Sequence, residues 1–297
     1  MAELATMAML SALHVSVYSG RKFDKKATAE VAQWHKTDEK VGRYSKRLLP
    51  EDAHSFKLIG TKAAAARAIF NRNTLPWYDD GSRMLPSANF LPCTAEMRAA
   101  ESEFLAAIPP FIQEWPMLKA RAKVELNGLW REEDYPSVEK LKKLFKMELK
   151  FFPIPDGNDF RAQIRDEDLE AIKKQIDLDT KETLNESMKE PYRRLFDGVA
   201  HMASRLNGAK TCPCRKCKGK EFKSDDFNDS LVNNLVDMCE VLPRLNLTGD
   251  DDLEFLIEQV KANLTEFKPD MIRGSEVLRK TLAQRAAEIQ ESMKGFY

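Results

Sequence analysis

The chain has 297 residues, long enough to bury one large core or two, and its 47 Lys/Arg balance 47 Asp/Glu to a net charge of zero. No apolar run approaches the roughly 18 residues a membrane span needs, so no membrane helix is expected. The first residues carry Glu3 and lack a basic segment, which argues against a signal peptide; the five cysteines then read as reduced thiols or metal ligands in a cytoplasmic protein, not as a disulfide framework.

The neutral total hides a gradient. Residues 1–72 hold 13 Lys/Arg and 7 Asp/Glu, a net +6, whereas residues 224–297 hold 8 and 15, a net −7. Solvated helix faces of differing composition account for this; an electropositive N-terminal region that meets a polyanion, or the acidic tail of a neighbouring copy, is the sharper alternative.

In chain order, Leu13, Val15 and Val17 alternate with His14 and Ser16, a strand signal that Gly20 ends. A basic turn, Arg21 to Lys26, leads to Asp24 as the cap of a helix through Ala27, Val31 and Trp34. A second basic stretch runs from Lys40 to Arg47. A helix is expected over 51–71, with alanines 63 to 66 allowing close packing. Leu75-Pro-Trp77 and Met84-Leu85 flank Asp80-Gly81, the pattern of a short edge hairpin. Asp79 and Asp80 together could bind a cation, but Asp-Asp-Gly is ordinary turn chemistry, which is the preferred account. Helix follows over 94–128, with breaks expected at Pro109-Pro110 and at Pro116, then a short helix over 137–145 and a strand over 147–152; a further strand is read at 159–164.

From Asp166 the pattern is helical throughout. Leu169, Ile172, Ile176, Leu184 and Met188 form one stripe, Pro191 is expected to kink the arm or start a new helix, and Leu195, Val199, Met202 and Leu206 continue it to Gly208. The return arm, from about Asp226, carries Leu231, Val232, Leu235, Cys239 and Leu242 up to a stop at Pro243; two further helices follow. The expected fold is α+β, predominantly α: a small mixed sheet with helices over 1–165, then a C-terminal antiparallel helical hairpin or bundle, with coiled-coil character in its arms, over 166–297.

Between the arms, at 208–224, lies a cysteine-rich tip. Cys212, Cys214 and Cys217 have C-x-C-x₂-C spacing, which lets three thiolates converge on one tetrahedral ion, zinc being the ion such a set suits. The fourth ligand is open: Cys239 and His201 are candidates, each placed by helix rise well away from the tip unless the loop folds back. Lys210, Arg215, Lys216, Lys218, Lys220 and Lys223 surround the thiols and are expected to lower their pKa values and to attract a phosphate backbone. Arg21, Lys22, Lys25, Lys26, Arg43, Lys46 and Arg47 are the corresponding N-terminal candidates for nucleic-acid contact, with Arg215, Lys216, Lys218 and Lys220 at the tip. No phosphate-binding glycine loop, H-E-x-x-H or G-x-S-x-G occurs, and the four histidines are scattered, so no catalytic residue is named and a binding protein is expected in preference to an enzyme.

Several segments together resemble a family of tailed-bacteriophage proteins of unknown function. They are Ser19 to Ala27, Gly42-Arg43 with Lys46, Thr74-Leu-Pro-Trp77 with Gly81 and Arg83 to Pro86, Asp134-Tyr-Pro136, Phe152-Pro-Ile-Pro155 with Asp159-Phe-Arg161, and Asp229-Ser-Leu through Leu242 to Asp250. The resemblance covers about residues 10 to 260. It implies a phage origin and a host-cytoplasm or virion setting, and no catalytic residues; the cysteine insert departs from the family pattern. Two functions are expected from these observations. The first is a non-enzymatic protein that meets itself, or another phage or host protein, through its helical arms as an oligomer. The second is nucleic-acid binding through the basic N-terminal segments and a zinc-knuckle-like tip.

Overall fold

The computed structural model describes residues 2–78, 81–155, 166–221 and 228–296. In chain order the elements are α1 (Ala2–Met7), β1 (Ala8–Ser16), β2 (Arg21–Phe23), α2 (Lys25–Trp34), β3 (Ser45–Arg47), α3 (His54–Asn73), β4 (Leu75–Pro76) and β5 (Arg83–Pro86). There follow α4 (Phe90–Ala106), α5 (Ile108–Leu126), α6 (Val138–Lys142), β6 (Lys146–Phe152), α7 (Asp166–Leu206), α8 (Ser230–Leu245), α9 (Asp251–Leu264), α10 (Pro269–Gly274) and α11 (Glu276–Ser292). The chain is 64% helical, so the fold is α+β, predominantly α, as expected. The sheet, in order β4-β5-β1-β6, is antiparallel where a mixed one was expected, and β2 and β3 form a separate antiparallel pair. The strand expected at 159–164 and the paired Asp79 and Asp80 lie outside the described residues.

Two compact units emerge, and neither is continuous in sequence. One comprises residues 13–70 and 94–150. Its centre is aromatic: Trp115 meets Tyr18 and Phe111 edge-on at 5.7 Å, and Phe111 meets Phe56 at 5.4 Å and Phe145 at 5.8 Å. Ala63 and Ala66 are buried on α3, so their small side chains permit the close approach read from the sequence. Asp24 caps α2 through Ala27 N–H, as expected. The helix expected over 94–128 is interrupted at Ala107, just before Pro109 and Pro110, which stand in the first turn of α5 where a missing N–H costs nothing; no break falls at Pro116, which lies inside α5.

The other unit comprises residues 1–12, 71–93 and 151–297. The hairpin pairs Leu75 with Met84 and Pro76 with Arg83, and β1 extends it by pairing Leu10 with Met84. Leu10, Leu75, Trp77 and Met84 share one apolar core with Leu195, Val199 and Met202 of α7, Leu235 and Leu242 of α8, Leu256 and Val260 of α9, and Leu282 and Ala286 of α11. Arg194 of α7 donates to the Arg72 and Thr74 carbonyls, and the Ser187 hydroxyl to Pro76, fixing the hairpin on the helix.

α7 runs unbroken for 41 residues, about 60 Å at 1.5 Å per residue, with Pro191 inside it; no new helix starts there. Pro191 withholds one N–H from the ladder, at the Ser187 carbonyl, a local loss that the surrounding apolar packing outweighs. Pro243 likewise lies within the last turn of α8, which ends only at Leu245.

Candidate metal centre

The long helix and the loop that follows it build the site together. α7 stops at Gly208, whose φ of 62° places it in the left-handed region that glycine enters at no steric cost. Ala209 N–H then bonds to Ser204 O at 2.9 Å and Gly208 N–H to Arg205 O, a glycine-capped helix end that reverses the chain. From there the segment 209–221 turns back along α7, closed at its base by a bridge between Thr211 and Glu221.

A compact turn sits within this segment. Cys217 and Lys218 N–H both donate to Cys214 O, and Gly219 N–H donates to Cys212 O at 3.0 Å. Lys218 and Gly219 take φ of 51° and 71°, two successive left-handed residues that fold the strand over. The turn also aims backbone donors at sulfur: Cys214 N–H lies 3.4 Å from Cys212 Sγ, and Cys217 N–H lies 3.4 Å from Cys214 Sγ. Such donors stabilise thiolate charge.

The turn lands on His201. One ligand atom from each of His201, Cys212, Cys214 and Cys217 lies within 4.8 Å of every other, and Cys217 Sγ is 3.5 Å from His201 Nδ1. With Zn–S bonds of about 2.3 Å and Zn–N bonds of about 2.0–2.1 Å, a tetrahedral ion holds a sulfur and a nitrogen roughly 3.6 Å apart. The cluster could hold a metal ion, and its three cysteines are in no disulfide. Cys212 and Cys214 are buried against Ala200, which directly precedes His201, and against Phe196, five residues before it, so these two apolar residues of α7 form the floor.

His201 is therefore the residue that completes the set, and Cys239 is not. Cys239 is buried in the helical core, with its Sγ 3.9 Å from the Ile257 carbonyl. The expected obstacle, a histidine too far up the helix, is removed because the loop folds back. Arg215 does the folding: its Nε lies 2.6 Å from Asp197 Oδ2, its N–H 2.9 Å from Asp197 Oδ1, and its Nη1 2.8 Å from Glu190 Oε2. Glu190 and Asp197 stand seven residues apart, two turns on one helix face, and that spacing is the one sequence signal that anticipates the strap.

The electrostatics differ from expectation in one respect. Burial pushes the Cys212 thiol up to about 12, and burial with the neighbouring Cys214 raises Cys217; the basic shell does not lower them, although Lys216 pulls Cys217 in that direction. Burial, then Arg205 and Lys216, lowers His201, which favours the neutral imidazole that ligates metal. A divalent cation at the centre reverses the preference of the thiols, since coordination deprotonates them outright.

The basic candidates divide. Lys216, Lys218 and Lys220 are exposed with Lys210, and among the described residues no carboxylate pairs with them. Arg215 is committed to Asp197 and Glu190. In the other unit Arg21, Lys22, Lys25, Lys26, Arg43 and Arg47 are exposed. Lys46 is the correction: its side chain is buried, with Nζ 2.8 Å from Asp24, 2.7 Å from Asp134 and 2.7 Å from the Leu129 carbonyl, so it cannot meet a phosphate. No helix among the described residues is long and apolar enough to cross a membrane. Comparison with protein-family models, curated proteins and solved structures finds no match to this chain.

Proposed function

We propose that the protein is a non-enzymatic, zinc-holding nucleic-acid-binding protein, in which the metal fixes a basic loop that contacts the phosphate backbone. The observation that carries this reading is the convergence of His201 of α7 with Cys212, Cys214 and Cys217 of a loop whose Lys210, Lys216, Lys218 and Lys220 all face solvent. Three sulfurs and one nitrogen suit zinc, and four protein ligands leave no open position for a substrate, which favours a structural ion over a catalytic one. Zinc with three thiolates and a neutral imidazole carries one negative charge, which the surrounding lysines offset. The lysines then present an excess of cations on a loop held to one shape, and neutralising phosphates releases counterions.

The test joins metal analysis to salt-dependent binding. Purified protein is expected to contain about one equivalent of zinc, lost when Cys212, Cys214 and Cys217 are replaced by serine. Binding to a DNA or RNA oligonucleotide is expected to weaken steeply with salt, and the slope to fall for K216E/K218E/K220E. Less than about half an equivalent of zinc, or binding indifferent to salt, overturns the reading.

A second reading is association through the helical unit with another copy or with a phage or host protein. Exposed Phe255, Met271 and Val277 on α9, α10 and α11 favour it. A concentration-independent monomer by light scattering, with no partner retained from an infected host, would overturn it. The infected cell is the proposed setting on the strength of the sequence resemblance alone.

A further inference from the structure

The longest run of exposed residues among the described ones lies in the other unit. Residues 33–45 are all exposed, thirteen in succession, between the end of α2 and the start of β3. Their backbone is ordered by local bonds, Lys36 N–H to Gln33 O, Thr37 N–H to Ala32 O, Val41 N–H to Asp38 O and Lys40 N–H to Asp38 Oδ1, and is tied at its ends by His35 N–H to Val31 O and Tyr44 N–H to Thr28 Oγ1. On this stretch Trp34 is 84% exposed and Val41 75%. A tryptophan left this open forgoes the burial that normally makes it one of the most stabilising residues in a fold.

Its surroundings are cationic. Residues 20–47 hold nine Lys/Arg and four Asp/Glu. The structure removes one of each from the surface, because Lys46 and Asp24 are paired and buried. Among the rest, Lys26 pairs with Glu30 and Arg47 with Glu51, while among the described residues Arg21, Lys22, Lys25, Lys36 and Lys40 have no carboxylate partner. Aromatic groups alternate with these cations. Phe23 is half exposed on β2 with the Arg43 guanidinium 5.9 Å above its ring, and Tyr44 is exposed next to Arg43. The pair β2–β3 (Arg21 opposite Arg47, Phe23 opposite Ser45) fixes this edge, and the Asp24–Tyr44 backbone bond of 3.0 Å ties the loop's end to the start of α2.

We propose that the segment from Arg21 to Arg47 is a docking surface for single-stranded nucleic acid, with Trp34 as a stacking platform and the unpaired cations tracking the backbone. Exposed cations alone would take any polyanion. Exposed aromatic faces between them select one whose bases are unstacked, because a base in a duplex offers no free face. An anionic membrane is the less suitable occupant: the apolar residues are separated by Lys36, Asp38, Glu39 and Lys40 and form no continuous face to bury in lipid. The surface is distinct from the metal loop and shares with the proposed function only the class of partner.

The fluorescence of the full-length, zinc-loaded protein tests this directly. Trp77 and Trp115 are buried and Trp130 is half-buried, so quenching from solution reports mainly Trp34. Oligothymidylate is expected to quench the emission and to bind more tightly than a duplex of equal length. By the anisotropy of labelled oligothymidylate, Trp34→Ala is expected to bind about tenfold or more weakly, Trp34→Phe to retain most of the affinity, and R21E/K22E to weaken binding and flatten its salt dependence. An unchanged affinity in Trp34→Ala, equal affinity for duplex, or a quench produced by phosphatidylserine vesicles and not by oligothymidylate overturns the inference. Loss of binding in K216E/K218E with none in Trp34→Ala overturns it too, while leaving the metal-loop reading intact.

Discussion

Arg215 and Asp197 form a two-point clamp: the guanidinium Nε and the backbone N–H of one residue meet the two carboxylate oxygens of the other at 2.6 and 2.9 Å. Arg215 lies between Cys214 and Cys217, and Asp197 lies one turn before His201 on α7, so the clamp holds the thiol turn over the imidazole. Glu190 completes it. Burial opposes the ionisation of Glu190, yet Arg215 and Arg194 hold its carboxyl below the usual range.

Removing the clamp should weaken metal binding without removing a ligand. Arg215→Ala is expected to lower zinc affinity by about 10-fold, within the range seen when groups that orient metal ligands are lost. Competition with a chromophoric chelator measures this. Arg215→Lys keeps one charge but not the fork, and should fall between the two. Equal affinities for all three proteins would show that the loop needs no strap.

The two residues left open by the sequence as fourth ligand should separate in cobalt-substituted protein. His201→Ala replaces one protein donor by water and is expected to change the visible absorption of the ion and to weaken its retention. Cys239→Ser is expected to leave the spectrum unchanged. It should instead cost about 1–3 kcal/mol of stability, because a hydroxyl replaces sulfur in the apolar core of α8 and α9. A changed spectrum in Cys239→Ser would reassign the ligand.

In the other unit, Lys46 holds Asp24 and Asp134 together in a buried site, with Arg131 at 3.8 Å from Asp24. Lys46→Met is expected to destabilise the protein by about 3–5 kcal/mol at neutral pH, since two carboxylates lose their common cation. The hydrogen bond from Lys46, with that from Ala27 N–H, lowers the Asp24 pKa to about 2 from 3.8. A depressed folded-state pKa contributes stability that is full above the unfolded value and lost as pH falls toward about 2. The wild type should therefore lose stability between about pH 5 and pH 2. The deficit of Lys46→Met should narrow over the same interval, because a protonated Asp24 no longer needs the cation. Urea midpoints at pH 7 and pH 3 check both signs.

What the sequence disclosed follows from how local each feature is. The C-x-C-x₂-C spacing carries its own geometry, and the Asp24 cap, the hairpin at 75–86 and the stripes of α8 and α9 depend on neighbours a few residues away. His201 depends instead on a reversal at Gly208 and a clamp between residues 18 apart, neither of which periodicity reports. Pro116, Pro191 and Pro243 read as breaks because each removes one hydrogen bond, but buried neighbours on the same helices outweigh that loss. Lys46 is hidden in a basic run; only the alternation of β3, exposed Ser45, buried Lys46, exposed Arg47, turns it inward.

The close approach of α7 and α8 gives the last expectation. Gly198 lies on α7 where a Cβ would stand 2.8 Å from Leu235 Cδ2 and 3.1 Å from Met238 Cε. Both contacts are ends of flexible side chains, so a single methyl can be accommodated by their moving, and the higher helix propensity of alanine, worth up to about 1 kcal/mol, offsets the crowding. Gly198→Ala should therefore stay within about 1 kcal/mol of wild type. Gly198→Val adds two branched methyls that Leu235, itself buried against α7, cannot clear, and should cost about 1–3 kcal/mol by overpacking. Three residues along the same helix, His201 would shift with any such displacement, so Gly198→Val should also release zinc faster than Gly198→Ala. Thermal denaturation of the two variants, followed by chelator-driven zinc release, measures both effects. Equal stability of the valine and alanine variants would mean that α7 and α8 are not held at this distance in solution.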